Sequence, residues 1–390
     1  MTTVGIVAEY NPFHNGHAYQ IKQAKEMTGA DTVVVVMSGN FVQRGEPALL
    51  DKWTRAKLAV EGGADLVVEL PVFYAVQPSH LFAQGAVRLL GAMGVENLVF
   101  GSEHPDVDFL KLADEAPALE GQQGFADKKQ TFAANYADQL EEATGFKLED
   151  PNDILAFGYA KAVRELKLDM KLWPMARLEA GYHDQTFEEG QTIASASSIR
   201  LALHKGKFEK IDKVVPEETK KALAEENTTI NFEEKFFPLI QYRALTDTVG
   251  QLGQVYQMAE GLEYRVAAVA SQANGPQNYQ SFVRAIKSKR YTFARMQRTL
   301  LYTLLNIKVD QMQAAMQDPY LRILAFDQKG QTFLNEIKKT VELPLISRVD
   351  MSLAKANLRL DYKAGEVWKL LAREGGPAQD VGRRPIQIEK

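Results

Sequence analysis

Two histidines, His14 and His17, are the residues of this chain whose type and spacing most clearly suggest chemistry. They follow an apolar, β-prone segment that begins at Val4, and Gly16 lies between them. We expect a helix over about residues 18–27, so both imidazoles would lie on one side of its first turn. A helix N-terminus offers unpaired N–H groups and a positive dipole end, which suit a phosphate. The pattern therefore predicts nucleotidyl transfer, with both imidazoles donating hydrogen bonds to the reacting α-phosphate.

The same histidines have two other interpretations. A pair with this spacing could bind a metal, but the chain has no cysteine and no acidic third ligand is evident beside the pair. The histidines could also cap the helix or pack in the core. The chain has only six histidines, and two of them flank a glycine at a strand-to-helix turn. This concentration favours phosphate binding, and we expect no side-chain metal ligands.

The composition is that of an ordinary globular protein. Of 390 residues, 45% are hydrophobic and 25% are charged, and this length favours two domains. The absence of cysteine excludes disulfides, thiolate metal sites and a cysteine nucleophile. The chain enters its first strand without a basic-then-apolar leader, and no apolar stretch approaches membrane length. We therefore expect a cytoplasmic protein with no membrane partner.

Strand and helix patterns alternate along the first 200 or so residues. Apolar segments near residues 4–8, 32–37, 65–70, 97–100 and 171–177 predict five strands, and Pro174 restricts the last of them to an edge. This order predicts an α/β fold, a Rossmann-like doubly wound parallel sheet, followed by a mainly helical C-terminal domain. Ligands of such sheets bind beyond the carboxyl ends of the strands. His14, the loop over residues 38–45, Gly101 and Arg177 should therefore converge. We place the domain joint at Gly206, between residues 1–205 and 206–390.

A second polar cluster lies just before that joint. Three serines from Ser195 to Ser198 open a predicted helix, and Arg200 follows one turn later. Hydroxyl groups and a guanidinium at a helix start could hold a leaving pyrophosphate. Serine-rich helix starts are also common caps, so the pattern gains weight only if it lies opposite the histidine pair.

The charge distribution of the C-terminal half is uneven. Between Tyr264 and Val309 there are eight basic and no acidic residues, although the whole chain has a net charge of −4. Tyr291 and Phe293 lie within the densest part. Such a segment is a candidate electrostatic surface for nucleic acid. The alternative is a solvated helix face with both aromatic side chains in the core.

Taken together, these motifs resemble the bacterial tRNA(Met) cytidine acetate ligases, relatives of the His-x-Gly-His nucleotidyltransferases. The resemblance spans nearly the whole chain. It is carried by residues 9–17, 37–47, 100–103, 180–184, 195–200 and 288–292. Ala196 departs from the second signature of the superfamily, where a hydroxyl is common, so Ser197 and Arg200 carry over better than their neighbours.

The resemblance implies roles for individual residues. His14 and His17 would be catalytic. ATP would contact Val7, Ala8, Glu9, Tyr10, Asn11, Pro12, Phe13, His14, Asn15, Gly16, His17, Gln20, Gly101, Asn152, Arg177, Ser197 and Arg200. The basic segment would contact tRNA through Lys287, Lys289, Arg290, Arg295 and Arg298. Residues 1–205 would then be an ATP-binding catalytic domain of the nucleotidyltransferase type, and residues 206–390 a helical tRNA-binding domain.

The resemblance also implies a reaction. Such enzymes activate acetate with ATP, accompanied by Mg²⁺, as acetyl-adenylate and release pyrophosphate. They then transfer the acetyl group to N4 of the wobble cytidine of elongator tRNA(Met), which forms N4-acetylcytidine. The expected partners are this tRNA and acetate, and no protein partner is evident. One alternative keeps the fold as an adenylyltransferase of nucleotide-cofactor synthesis with a phosphomonoester acceptor. Another is an RNA-binding protein without catalysis, which both histidines and Arg200 disfavour.

Overall fold

Across the described residues, the core is formed by one mixed sheet of eight strands. The computed structural model describes residues 1–116, 132–177, 191–225, 228–272, 274–288 and 291–389. The strands are β1 (Thr3–Ala8), β2 (Thr32–Ser38), β3 (Leu66–Leu70), β4 (Asn97–Ser102), β5 (Lys171–Ala176), β6 (Leu321–Phe326), β7 (Leu345–Ile346) and β8 (Ile386–Gln387). Their order is β5-β4-β1-β2-β3-β6-β7, and β8 also pairs with β6.

The five N-terminal strands are parallel, as the sequence predicts. Strand β2 is buried along its whole length, and its side chains alternate between two hydrophobic clusters. Val34 and Val36 belong to one cluster, whereas Val33 and Val35 belong to the other. The sheet is therefore covered on both faces, which is why its central strands have no polar alternation. Strand β5 forms one edge, which accommodates Pro174.

Helices surround this sheet and form most of the C-terminal half. They are α1 (Asn15–Thr28), α2 (Lys52–Glu61), α3 (Val72–Ala75), α4 (Ser79–Ala92), α5 (Phe109–Glu115), α6 (Phe132–Thr144), α7 (Pro151–Glu165), α8 (Ala196–His204), α9 (Glu217–Glu225), α10 (Phe232–Thr246), α11 (Val249–Gly253), α12 (Leu262–Ala270), α13 (Tyr279–Ile286), α14 (Phe293–Leu305), α15 (Val309–Gln317), α16 (Gln328–Ile337), α17 (Met351–Lys355) and α18 (Arg359–Leu371). The expected α/β class with a mainly helical C-terminal half is confirmed.

The C-terminal half also contributes to the sheet, which the sequence analysis did not predict. Strand β6 pairs antiparallel with β3, and β7 and β8 both pair with β6. The sheet is thus assembled from both sides of the proposed joint at Gly206. The division into two domains stays a prediction, since the two proposed domains share this sheet.

One helix boundary near the site differs from expectation. Helix α1 begins at Asn15, three residues early, because His14 adopts an extended conformation and serves as its N-cap. This difference places His17 at the third helical position, with its ring still beside that of His14.

The C-terminal tail, which lacks periodicity in its sequence, packs against the start of α2. Trp53 Nε1 donates a hydrogen bond to the carbonyl of Gln379 at 2.7 Å. Lys52 Nζ lies 2.7 Å from Asp380 and 2.8 Å from both carboxylate oxygens of Glu69. The three charged side chains are at most 2% exposed, and we call them the buried ion cluster. Its partners are distant in sequence, so no local pattern could reveal it.

A third carboxylate lies beside the buried ion cluster. Asp361 accepts a hydrogen bond from the backbone N–H of Val72 at 2.7 Å and another from the Tyr320 hydroxyl. Burial, followed by the nearby charge of Glu69, raises the pKa of Asp361 to about 7. This carboxyl group therefore binds a proton at a much higher pH than an ordinary aspartate does.

Candidate active site

The two histidines lie face to face at the start of α1. Their ring centroids are 3.6 Å apart, and the rings are nearly parallel. The backbone N–H of His14 donates to Nδ1 of His17 at 3.2 Å. A neutral His17 must therefore carry its proton on Nε2, which leaves that N–H as its hydrogen-bond donor. Tyr10 and Phe13 pack against the His17 ring at 4.7 and 5.8 Å and hold its orientation.

Both imidazoles are neutral in the absence of a ligand. Burial, followed by the charges of Arg177 and Arg200, lowers the pKa of His14 to about 3. Burial, His14 and Arg177 hold the pKa of His17 well below its usual value. A site that disfavours additional positive charge in this way is suited to an anion, because an arriving phosphate would offset the arginines and raise both pKa values.

The serine-rich motif lies against the histidine motif. Ser195 is the N-cap of α8, and its Oγ accepts the backbone N–H of Ser198 at 3.1 Å. Arg200 reaches from the first turns of α8 to the loop after β1 and donates to the carbonyl of Asn11 at 2.9 Å. Ser197 is exposed, 3.1 Å from the hydroxyl of Ser195. The two motifs thus share one site, although the serine hydroxyls also serve as a helix cap.

The first turn of α1 is fixed to the segments around α8. Asn15 Nδ2 donates to the carbonyls of Thr192 and Lys213, both at 2.9 Å. The backbone N–H of Asn15 donates to the carbonyl of Val214 at 3.0 Å. This side chain therefore binds two backbone carbonyls. Asn15 joins the two signature motifs of the chain.

Arg177 and Gly101 lie together at the ends of adjacent strands. Arg177 follows β5, and Gly101 belongs to β4. A Cβ at Gly101 would lie 3.4 Å from Cγ of Arg177, so the arginine stem crosses directly over the glycine. The influence of Arg177 on both histidine pKa values places its charge near the pair. The expected convergence at the carboxyl ends of the strands is found.

Asn152 is held by a reciprocal clamp between β4 and α7. Glu103 accepts hydrogen bonds from Asn152 Nδ2 and from the backbone N–H of Asp153. Asp153 in turn accepts from Ser102 Oγ at 2.6 Å and from the backbone N–H of Glu103 at 3.0 Å. His104 Nδ1 is also 2.6 Å from Asp153. The clamp fixes Asn152 near Gly101.

The same clamp contains the one group of described side chains with metal-ligand geometry. Ligand atoms of His104, Asp150 and Asp153 lie within 4.8 Å of one another. The Asp153 carboxylate, however, already accepts hydrogen bonds from Ser102 and from the backbone. These contacts account for the cluster without an ion. Mg²⁺, where it accompanies ATP, is usually bound through phosphate oxygens and water.

The loops after β1 and β2 are joined by a residue that the sequence analysis missed. The buried guanidinium of Arg55 donates to the carbonyls of Glu9 at 2.6 Å, Ser38 at 3.0 Å and Leu50 at 3.0 Å, and also to Gly39. A lone arginine on a predicted helix gives no sequence signal for this role. Arg55 therefore fixes the backbone of the loops after β1 and β2 through hydrogen bonds to their carbonyl groups.

Glu9 is the acidic group of the site. Its Oε1 accepts the backbone N–H of Gln43 at 2.9 Å. Burial raises the pKa of Glu9, although the Gln43 N–H and the charges of Arg200 and Arg44 oppose that shift. The Glu9 carboxylate thus lies near the charge of Arg200 on α8 and contacts the loop after β2.

The other proposed ATP residues differ in how they could act. Val7 and Ala8 end β1, and Pro12 follows Asn11 in the loop before α1. Tyr10, Asn11 and Phe13 are at most 2% exposed, so their side chains support the loop rather than line an open surface. Gly16 and Gln20 lie on α1 and are half-buried. The roles of all these residues toward ATP stay predictions.

The basic segment is only partly a surface. Lys287 is exposed, whereas Arg298 is only 7% exposed. Arg295 lies over the Tyr291 ring at 4.1 Å, and that buried tyrosine donates to Glu260 at 2.6 Å. Tyr291 is therefore a core residue rather than a stacking platform for bases. Lys289 and Arg290 lie outside the described residues, as does the motif at residues 180–184.

Comparisons with known proteins agree with this geometry. The family model described as HIGH Nucleotidyl Transferase matches residues 1–380. A Leuconostoc citreum protein named tRNA(Met) cytidine acetate ligase is 68% identical over 388 residues, covering 100% of this chain and 98% of that relative. An Oenococcus oeni protein of the same name is 48% identical and covers 99% of this chain and 100% of its own length.

Solved structures give the same result. The crystal structure of Thermotoga maritima TmcAL bound with alpha-thio ATP has a TM-score of 0.86 at 28% identity, with full coverage of both chains. The apo form of that protein has a TM-score of 0.88 at 29% identity, again with full coverage. In the described ranges of our chain, no helix is both long and apolar enough to cross a bilayer. The fold, the paired histidines and these relatives together show that the chain belongs to the tRNA(Met) cytidine acetate ligase family of HIGH nucleotidyltransferases.

Proposed function

We propose that this protein is a ligase that uses ATP to acetylate N4 of the wobble cytidine of elongator tRNA(Met). Acetyl-adenylate is the intermediate, and pyrophosphate is released when it forms. The observation that carries the proposal is the neutral pair His14 and His17 at the N-terminus of α1, opposed by Arg177 and Arg200. The names of relatives at 48–68% identity support the same reaction.

In the first step, an acetate oxygen attacks the α-phosphorus of ATP. A new P–O bond forms, the bond from the α-phosphorus to the bridging oxygen breaks, and pyrophosphate leaves. The Nε2–H of His17 and the N-terminus of α1 would donate to the α-phosphate as its charge increases. Arg200 and Arg177 would bind the departing phosphates, since guanidinium groups match two phosphate oxygens at once.

In the second step, the cytidine amine attacks the acetyl carbonyl. The N4–C bond forms, the bond from the carbonyl carbon to the AMP oxygen breaks, and N4 loses one proton. Neither step requires a protein nucleophile, so the contribution of the site is positioning and charge stabilisation. The amine must reach a mixed anhydride inside the site, which requires the base to leave its stack.

The tRNA backbone would be bound by the acid-free segment between Tyr264 and Val309. We propose contacts from Lys287, Lys289, Arg290, Arg295 and Arg298. Neutralising Lys287, Lys289 and Arg290 together should weaken tRNA binding and lower the slope of log affinity against log salt by roughly 0.7–0.9 per lost contact. Lys338→Gln, which changes an exposed lysine at the C-cap of α16, is the matched control. An unaltered salt slope in the triple variant would show that these residues are only solvated.

The decisive experiment measures two products with the purified chain and ATP. Pyrophosphate is assayed with and without acetate, and N4-acetylcytidine is assayed after addition of an elongator tRNA(Met) transcript. We expect acetate-dependent pyrophosphate release, and modified cytidine only with tRNA. Pyrophosphate release that requires a phosphomonoester instead of acetate would favour the alternative, a nucleotide-cofactor adenylyltransferase.

A further inference from the structure

A tight turn connects the candidate active site with the helical half of the protein. Residues 41–47 form a small hairpin in which Val42 and Glu46 are joined by a backbone hydrogen bond of 2.9 Å. Gly45, at its tip, has a φ of +85°. A Cβ at Gly45 would lie 3.0 Å from Cα and 3.1 Å from N of Arg298. The hairpin therefore packs directly on the backbone of α14, at Arg298.

Within the part of the chain that the structure describes, Arg298 is a buried cation without a carboxylate partner. Its Nε is buried and has no hydrogen-bond partner among the described residues. Burial lowers its pKa, and the groups with the next largest influence are two tyrosines and two arginines rather than an acid. One of the tyrosines, Tyr302, uses its hydroxyl to donate to the carbonyl of Val76. An uncompensated buried charge is costly to a fold, so its presence here points to a ligand that supplies the opposite charge.

Two further arginines lie close to Arg298. Arg295 precedes it on the same face of α14, and Arg44 belongs to the hairpin; both lower the pKa of Arg298. The nearest hairpin carboxylate, Glu46, accepts a hydrogen bond from Gln297 at 3.0 Å. Positive charge therefore accumulates from both sides of this contact, the hairpin side and the helix side.

The cluster adjoins the proposed chemistry. The backbone N–H of Gln43 in the hairpin donates to the Glu9 carboxylate at 2.9 Å, and Arg44 and Arg200 both lower the pKa of Glu9, so the hairpin lies against the loop after β1. The phosphates of ATP already have Arg177, Arg200 and the histidine pair as candidate contacts. A phosphate bound at Arg298 would be a separate one.

We propose that Arg44, Arg295 and Arg298 form a binding site for one phosphodiester group of the RNA, next to the nucleotide whose base enters the active site. The proposal rests on the proposed function for the identity of that RNA. The site differs from a general basic surface because its central guanidinium is buried and is held against the catalytic half by the Gly45 contact.

The test uses the full chain with Arg298→Met, Arg44→Gln and the double variant. Affinity for an unmodified elongator tRNA(Met) transcript should fall on the order of 10- to 100-fold in each single variant. The double variant should lose less than the product of the two effects, because both residues contact the same phosphate. Lys338→Gln should bind tRNA as the wild type does. Unchanged tRNA affinity in Arg298→Met would overturn the proposal.

Thermal denaturation separates this function from a structural role. Since Arg298→Met removes a buried uncompensated charge, its melting temperature should equal or exceed that of the wild type. A lower melting temperature with wild-type tRNA affinity would make Arg298 a structural residue.

Titration with ATP distinguishes the two possible sources of the phosphate, the RNA backbone and the ATP triphosphate. Weakened ATP binding with intact tRNA binding would reassign the site to the triphosphate. Wild-type protein that binds tRNA but never acetylates it would refute the proposed function alone.

Discussion

Replacement of Lys52 by methionine should destabilise the protein in a strongly pH-dependent way. Lys52 Nζ contacts both Glu69 oxygens at 2.8 Å and Asp380 at 2.7 Å, and Lys52 itself is 0% exposed. Methionine fills a similar volume but leaves two buried carboxylates without the cation that contacts them, although the charge of Arg322 remains nearby. Removing one partner of a buried ion pair typically costs about 3–5 kcal/mol. We therefore expect a loss of about 4 kcal/mol at pH 8.

The pH dependence follows from proton uptake by the carboxylates that remain. Burial already raises the pKa of Glu69 in the native protein, and loss of Lys52 would raise it further. A carboxyl group whose folded pKa exceeds its unfolded value loses stability as pH rises between those two values. The loss of folding stability in Lys52→Met should therefore become smaller as the pH is lowered from 8, by about 1.4 kcal/mol per pH unit for each carboxyl proton that the folded protein retains. This loss should be small near pH 5.

Urea denaturation at pH 5, 6, 7 and 8 measures this deficit. Lys57→Met on the same helix is the matched control, because Lys57 is 52% exposed and pairs with Glu61 at 3.5 Å. Surface pairs of this kind contribute about 0–1 kcal/mol, so the control should be nearly flat with pH. A Lys52→Met protein within about 1 kcal/mol of wild type at pH 8, or equally destabilised at every pH, would contradict this account of the buried ion cluster.

Four further predictions concern the site and its supports. His14→Ala and His17→Ala should each slow acetate-dependent pyrophosphate release about 10²–10³-fold, and wild-type rates would exclude a catalytic role. Arg200→Lys should weaken ATP binding in calorimetry about tenfold, because lysine cannot reproduce the guanidinium fork; unchanged affinity would make it structural. Gly45→Ala should cost about 1–3 kcal/mol in urea denaturation, since its φ is +85° and its Cβ would meet α14. Asp361→Asn should gain stability relative to wild type from pH 5 to pH 8, because a carboxyl with a pKa of about 7 opposes folding as pH rises. An equal stability difference between Asp361→Asn and the wild type at pH 5 and at pH 8 would contradict this prediction.

The parallel part of the sheet could be predicted because its signals are local. Continuous apolar segments such as residues 32–37 indicate strands buried on both faces, and the turns beyond them place ligands at the carboxyl ends. Strand β6 was missed because residues 321–326 pair with β3 across a separation of about 250 residues. The packing of the C-terminal tail could not be predicted for the same reason, because its contacts with Lys52 and Trp53 are tertiary.

In the candidate site, too, the residues of short local motifs could be predicted, whereas the residues that depend on tertiary contacts could not. The spacing of His14 and His17 was readable, and so was Arg200 opposite them, because both motifs are short. The burial of Arg298 was not readable, since it follows from the approach of Gly45 rather than from the composition of α14. Arg55 was equally hidden, because its function consists of hydrogen bonds to carbonyl groups that every sequence possesses.

The late arrival of β6 has a consequence for synthesis of the chain on the ribosome. Strand β3 ends at Leu70, whereas its outer partner begins only at Leu321. At a translation rate of roughly 5–20 residues per second, β6 is synthesised on the order of 10–50 seconds after β3. During this time one edge of β3 has unpaired backbone N–H and C=O groups. An exposed strand edge of this kind invites pairing with other nascent chains. Newly made molecules should therefore depend on chaperones until the last fifth of the polypeptide emerges.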